Sequence, residues 1–182
     1  MSHAPSVTAS KQRGIALFVV LISLVVISIG LLGLAALQVS SMQNTQTTRF
    51  YEAASYGLKQ LQERLSSNSA SAAAKEYDFN NLKSADQSKK PKDGCSDTDK
   101  TAKCIARRDL DAWYEQLTKE IPSPRVSITT TDQASGVKIT ALVVWDAALA
   151  GKSGEDYPEC NQTTRQKVDS YQCNQIVLWL AK

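Results

Sequence analysis

Four cysteines have side chains that can form disulfides or bind a metal ion. They are Cys95, Cys104, Cys160 and Cys173. Zinc sites usually hold their ligands in pairs two to four residues apart, whereas eight residues separate the first two cysteines and twelve separate the last two. The only histidine is His3, near the N-terminus. The spacing therefore predicts disulfides and no metal site, and four cysteines allow three connectivities.

The remaining polar residues give little basis for catalysis. The sequence shows no nucleophile with a base to activate it and no glycine-rich phosphate loop. Acidic neighbours such as Glu155 and Asp156 are typical of a solvated loop. We therefore expect no enzymatic activity and no cofactor.

A run of basic residues could contact the phosphates of a nucleic acid. Its members are Lys89, Lys90, Lys92, Lys100, Lys103, Arg107 and Arg108. Aspartates at positions 93, 97, 99 and 109 interleave with them. No series of aromatic side chains for stacking on bases accompanies the run. The mixture favours a solvated surface, so nucleic acid is not an expected partner.

One apolar block decides how these groups are placed. Residues 15–37 include no charge, and Ser23 and Ser28 are their only polar side chains. As a helix the block would be about 35 Å long at ~1.5 Å per residue, which exceeds the roughly 30 Å hydrocarbon core of a bilayer. Lys11 and Arg13 precede it, and the next charge is Arg49. The positive-inside rule then predicts a single-pass protein with its N-terminus in the cytoplasm and its C-terminal part in the periplasm.

The helix is predicted to continue beyond the membrane. No proline occurs between Gln38 and Leu65, and apolar residues recur there at spacings of three and four. They are Phe50, Ala54, Gly57, Leu58, Leu61 and Leu65. The sequence thus predicts one helix of about 50 residues, apolar in its first half and amphipathic in its second.

An α+β head is predicted after this stem. Residues 66–104 are typical of a loop with short helical turns at most, and a second helix is expected over 105–119, with Asp109 or Asp111 early in it. Strands are expected over 125–131, 137–145 and 175–180, which gives an antiparallel sheet of three or more strands. This places all four cysteines outside the cytoplasm, where disulfides persist. The economical pairing is Cys95–Cys104 with Cys160–Cys173.

The start of the apolar block resembles a type IV prepilin cleavage site. A basic leader ends in Gly14, and Ile15 begins the apolar run. The resemblance implies that prepilin peptidase cuts between these two residues and that the new amine of Ile15 is then methylated. It divides the chain into a leader at 1–14, a transmembrane or filament-core helix at 15–37, the amphipathic half of the stem at 38–66 and a periplasmic head at 67–182.

Within the pilins, the chain resembles the minor pilin family PilV, the type IV pilus modification proteins, with the PilX type second. The resemblance is carried by residues 27–38 of the stem, Leu110, Trp113, Leu117, Ile121-Pro122, Val143-Val144-Trp145, the two late cysteines and the short final strand. A loop closed by Cys160 and Cys173 also resembles the C-terminal disulfide region of pilins.

The resemblance implies a structural subunit that helps to initiate assembly of a type IV pilus. The implied partners are other minor pilins, the major pilin, an adhesin-like protein at the pilus tip, prepilin peptidase, the inner-membrane assembly platform and inner-membrane lipid. It implies a place in the inner membrane and, after assembly, in the pilus on the cell surface.

One position departs from the pilin pattern. Pilins usually have glutamate as the fifth mature residue, where this chain has Val19. In the family this glutamate is thought to neutralise the N-terminal amine of an adjoining subunit in the apolar filament core, where an unpaired charge is costly. Since a subunit at the extreme tip has no neighbour ahead of it, we hypothesise a position at or near the tip.

Two other functions remain open on the sequence. A type II secretion minor pseudopilin shares the leader, the stem and the α+β head. Pseudopilins often bind calcium where this chain has its late cysteines, and no cluster of acidic residues typical of a calcium loop is visible, which favours the pilus. A plain signal-anchored periplasmic protein is the third reading.

Overall fold

The computed structural model describes residues 12–83, 89–92, 94–96, 98–146, 157 and 171–181, with side chains from Ile15 onward. Three helices and four strands follow one another along the described chain. They are α1 (Gln12–Ser67), α2 (Ser69–Ala73), β1 (Phe79–Asn80), α3 (Ala102–Glu120), β2 (Arg125–Gln133), β3 (Gly136–Asp146) and β4 (Tyr171–Ala181). The long helix and the antiparallel sheet confirm the predicted α+β layout.

The chain forms two compact units, which divide between Gln46 and Thr47. Helix α1 is 56 residues long and contributes to both. In the first unit its apolar side chains are exposed. In the second unit Ala54, Leu58, Leu61 and Leu65 are fully buried, because spacings of four, three and four residues keep them on one face of the helix. We call the second unit the head.

The core of the head joins this face of α1 to α3 and to one face of the sheet. Helix α3 contributes Leu110, Trp113 and Leu117, the three residues predicted as its core stripe, and all are buried. The strands contribute alternate residues, as the two-residue repeat of a strand requires. The largest buried strand residues are Val126, Ile128, Val137, Ile139, Val143 and Trp145.

The sheet is an antiparallel meander in the order β1-β2-β3-β4. Strand β3 is central and pairs over nine positions with β2 and over eleven with β4, from Gly136 opposite Ala181 to Asp146 opposite Tyr171. The sheet face away from the helices has a smaller apolar cluster of its own. This cluster contains Leu82, Leu142, Val144 and Tyr157.

The structure differs from the sequence prediction mainly around residues 66–104. The five-residue helix α2 agrees with the expected short helical turns, but Phe79 and Asn80 pair with Ile128 and Ser127 as strand β1, which was not predicted. Helix α3 starts at Ala102, earlier than predicted, because Thr101 is its N-cap and accepts a hydrogen bond from the backbone N–H of Cys104. Asp109 and Asp111 therefore lie near the middle of α3, and the expectation that one of them would lie early in the helix is wrong.

Gly136 is required by the close approach of β3 and β4. A Cβ atom built at this position would lie 2.1 Å from the carbonyl oxygen of Leu180 and 3.1 Å from the Cα atom of Ala181. Backbone atoms cannot yield as the end of a side chain can, so the final residues of β4 would have to move.

We therefore expect Gly136→Ala to destabilise the head by about 1–3 kcal/mol, the usual cost of forcing extra volume into a packed site. Urea unfolding followed by circular dichroism measures the loss, and hydrogen exchange should be faster at residues 178–181. Gly30→Ala is the control, because a Cβ there meets nothing within 4 Å. Equal stability of the two variants would contradict this account.

Candidate functional sites: an exposed apolar helix and a disulfide-bonded head

The first unit exposes a large apolar surface, and its contact with water is energetically unfavourable. The large apolar side chains from Ile15 to Leu37 are each between 48% and 71% exposed. At roughly 25 cal/mol per Å² of apolar surface, covering them would be strongly favourable. In the described chain α1 is the one helix long and apolar enough to span a membrane.

The two serines of this segment do not prevent burial in lipid. Ser23 Oγ donates to the carbonyl oxygen of Val19 at 2.8 Å, and Ser28 Oγ donates to that of Leu24 at 2.7 Å. Each hydroxyl is thus satisfied within the helix, which removes most of the cost of placing it in hydrocarbon.

The predicted cleavage residues lie in the first turn of α1. The helix begins at Gln12, so the bond between Gly14 and Ile15 is part of a helical backbone. Proteases generally need an extended peptide, so cleavage would require this turn to open. Glycine lowers the cost of opening, since it is a poor helix former. Ile15 is 68% exposed and Val19 is 56% exposed; positions 1–11 of the leader lie outside the described residues.

A disulfide joins Cys95 to Cys104, with their Cα atoms 5.8 Å apart. It ties the segment before α3 to the third residue of that helix, where Cys104 is only 5% exposed. The predicted Cys160–Cys173 disulfide includes Cys160, which lies outside the described residues, so this pairing stays a prediction.

Asp99 lies directly beside this disulfide. Its Oδ1 atom accepts the backbone N–H of Thr101 at 2.9 Å, and its Oδ2 atom lies 3.0 Å from Cys104 Sγ. The hydrogen bond from the Thr101 backbone, with help from the Thr101 side chain, lowers the pKa of Asp99 below its ordinary value. The sulfur of Cys104 is part of the disulfide and has no hydrogen to donate. Its approach to Asp99 Oδ2 is therefore a van der Waals contact and not a hydrogen bond.

The same three residues have the spacing of a metal-binding group. One ligand atom from each of Cys95, Asp99 and Cys104 lies within 4.8 Å of the other two. Metals bind thiolates, however, and the disulfide leaves no thiolate on either cysteine. The geometry therefore stabilises the fold in the oxidised protein and offers cation ligands only after reduction.

Removing this disulfide should weaken the head measurably. In the chain-entropy model a loop of about ten residues contributes roughly 2–3 kcal/mol. We expect the Cys95→Ser/Cys104→Ser double variant to lose about that much in urea unfolding under oxidising conditions. Adding reductant to the double variant then reports on Cys160 and Cys173 alone. A double variant as stable as the parent protein would show that the bond does not stabilise the head.

Several residues of the basic run have local partners within the head. Lys103 and Arg107 approach the carboxylate of Glu76 at 3.4 and 3.8 Å. Arg108 donates to the backbone carbonyl of Ser96, and the ammonium of Lys89 lies 5.8 Å from the centre of the Phe79 ring. These contacts attach the segment before α3 and the turn before β1 to the rest of the head.

A half-buried ion pair connects α1 to α3. Arg64 Nη1 lies 3.1 Å from Asp109 Oδ1, and the hydroxyl of Tyr77 donates to Asp109 Oδ2 at 3.1 Å. Burial of the Tyr77 ring, together with the Asp109 carboxylate, raises the pKa of Tyr77 to about 12. Tyr77 therefore stays protonated and keeps its role as a hydrogen-bond donor.

A buried polar network holds the start of the sheet. The side chain of Asn81 is fully buried: its Oδ1 accepts the backbone N–H of Val126 at 2.7 Å, and its Nδ2 donates to Tyr114 at 3.1 Å and to the Lys89 carbonyl at 3.2 Å.

Arg125 extends this network. Its guanidinium donates to the backbone carbonyls of residues 81–83 at 3.3–3.4 Å and lies 4.3 Å from the centre of the Tyr157 ring. Sequence patterns did not identify Asn81 or Arg125, because both residues form hydrogen bonds with partners that lie far away in the chain.

Comparison with protein-family models, with curated proteins and with solved structures finds no match for this chain.

Proposed function

We propose that this chain is a structural minor pilin of the type IV pilus, processed by prepilin peptidase and acting at or near the tip to help initiate assembly. Helix α1 is the observation that carries the proposal. A single helix exposes apolar side chains suited to lipid or to a filament core, and further along it provides four fully buried residues to the core of the head. A plain membrane anchor followed by a linker has no need of such a shared helix.

The proposed role assigns a task to each part of α1. Before assembly, residues 15–37 hold the subunit in the inner membrane. After cleavage behind Gly14, the helix is retained and its new N-terminus is the amine of Ile15. During assembly the apolar segment leaves the lipid for the core of the filament, where neighbouring apolar helices would cover the same side chains.

Val19 determines the proposed position in the filament. An apolar side chain here cannot neutralise the amine of a subunit placed ahead of it, and burying that amine unpaired would be costly. A subunit at the tip avoids the cost because no subunit is ahead of it. Cross-linking that found this chain spread evenly along the shaft would contradict the tip position without affecting the assignment as a pilin.

The N-terminus of the mature protein tests the central claim. We expect mass spectrometry of the membrane-extracted protein to show a chain that starts at N-methylated Ile15 in cells with prepilin peptidase and an uncut chain in cells without it. The Gly14→Val variant should stay uncut in both, since a side chain at this position would obstruct the protease.

Each outcome of this measurement has a distinct meaning. An uncut parent protein in cells with active peptidase would exclude the pilin class and leave a signal-anchored periplasmic protein. A cut and methylated protein would leave the choice between a pilus and a type II secretion system. Loss of surface pili with normal secretion in a deletion strain decides for the pilus.

A further inference from the structure

Strand β4 forms one edge of the sheet described above. It is the last strand in the sheet order, and within the described residues it pairs on one side only, with β3. The pairing runs through eleven consecutive positions without a bulge. Among the described residues, positions 174–181 therefore present a regular edge whose outward backbone groups no other strand pairs with.

The sequence of this edge lacks the charges and prolines that commonly prevent strand pairing. Proteins protect exposed edges with charged side chains, prolines or bulges. Residues 174–181 contain no charge and no proline. On the face away from the helices, Val177 is 46% exposed and Trp179 is 60% exposed.

The opposite edge of the sheet is protected. Strand β1 is two residues long, and it covers β2 only at Ser127 and Ile128. Beyond it β2 bears Asp132, whose carboxylate lies 3.0 Å from the ammonium of Lys75. An incoming strand would have to displace this ion pair. The β2 edge is therefore less accessible to strand pairing than the β4 edge.

We propose that residues 174–181 of β4 form a docking surface for a second copy of this chain, through antiparallel pairing of β4 with β4. Because residues 176–180 of this edge are apolar and carry no charge, the edge favours an extended partner with apolar side chains and no charge. Among the described strands β4 itself has this chemistry, because β2 carries Arg125 and Asp132 and β3 is central in its own sheet.

The sequence of β4 is complementary to itself in one register. With Leu178 on the two-fold axis, Val177 of one copy lies opposite Trp179 of the other, and the same pair occurs twice. Ile176 lies opposite Leu180 on the core face in the same register. Opposed residues share a face, as antiparallel pairing requires, and pairs of an aromatic with a β-branched side chain are among those that stabilise strand pairing.

The symmetry of this contact limits its size. Each copy uses the same edge, so the contact is isologous and ends with two copies. The paired edges would form one continuous eight-stranded sheet in which both long edges are covered. This pairing does not depend on the proposed role in a pilus, and the two ideas are tested by different measurements.

Photo-cross-linking of the full-length chain in nanodiscs tests the proposal. A mixture of isotopically light and heavy chains carries benzoylphenylalanine in place of Val177. We expect light–heavy cross-linked peptides in which position 177 is joined to the segment that contains Trp179 of the second copy. Cross-links to another region of the second copy, or no cross-linked dimer, would overturn the proposal.

Added charge provides the matched comparison. Val177→Lys or Trp179→Lys should raise the dimer dissociation constant by about tenfold or more. In either variant the new ammonium group would lie opposite an apolar side chain of the second copy. Thr129→Lys places the same charge on the same sheet face and in the same cross-strand row, two strands away from β4, and should leave dimerisation unchanged. Equal dimerisation of all three variants would overturn the proposed pairing of β4 with β4.

Discussion

Replacing Trp113 with alanine is expected to lower the free energy of unfolding of the head by about 3–5 kcal/mol, the range for large aromatic side chains in a core. Trp113 is 1% exposed, and its Nε1 donates to the backbone carbonyl of Gly57 at 2.7 Å. The variant loses the burial of the indole, leaves a cavity between α1 and α3, and removes this hydrogen bond. The loss is a large part of the 5–15 kcal/mol that stabilises a typical domain.

A second tryptophan provides the control for this experiment. Trp179 is 60% exposed, so Trp179→Ala should change the stability by no more than about 0.5 kcal/mol in a dilute sample. Urea unfolding of the full chain in detergent, followed by far-ultraviolet circular dichroism, avoids a signal that depends on the tryptophans themselves. Similar losses for both variants would mean that α1 and α3 do not pack through Trp113.

The second large effect is expected at Asn81, where alanine should cost about 2–4 kcal/mol, because buried polar groups are left without partners. The side chain of Asn81 accepts from the backbone N–H of Val126, which is buried at the start of β2. Alanine offers no acceptor, so that N–H loses its partner. The carbonyl of Lys89 loses its donor at the same time.

The neighbouring asparagine separates this effect from a general effect of the substitution. Asn80 is exposed, and its side chain accepts a hydrogen bond from the backbone N–H of Leu82 at 2.9 Å. We expect Asn80→Ala to cost about 0.5–1.5 kcal/mol, the net value of one such bond. If the two variants lose the same stability, the buried network around Asn81 contributes nothing of its own.

Local patterns predicted the elements whose residues repeat regularly. The stem helix follows from its apolar spacing and its lack of proline, and α3 follows from Leu110, Trp113 and Leu117. Strand β2 was predicted from its alternation and β3 from its long apolar run, with Gly136 marking the turn between them. In each case neighbours in the sequence are also neighbours on the buried face, so a short window contains the necessary information.

Structure that depends on distant partners was not predicted. Strand β1 has two residues and exists because Phe79 and Asn80 meet β2, almost fifty residues later. The start of α3 depends on the Thr101 cap, whose threonine is a common residue in loops as well. The ion pair between Arg64 and Asp109 joins two helices and has no signature in either segment.

The way α1 enters the head has a mechanical consequence. Leu58, Leu61 and Leu65 belong both to α1 and to the core, and at Gly57 the helix backbone accepts a hydrogen bond from Trp113. A Cβ atom at Gly57 would lie 2.9 Å from Leu117 Cδ1, so α1 and α3 fit closely there. A pulling force applied along α1 would act on the core in shear, against many contacts at once. The head would therefore resist tension until its core failed as a whole.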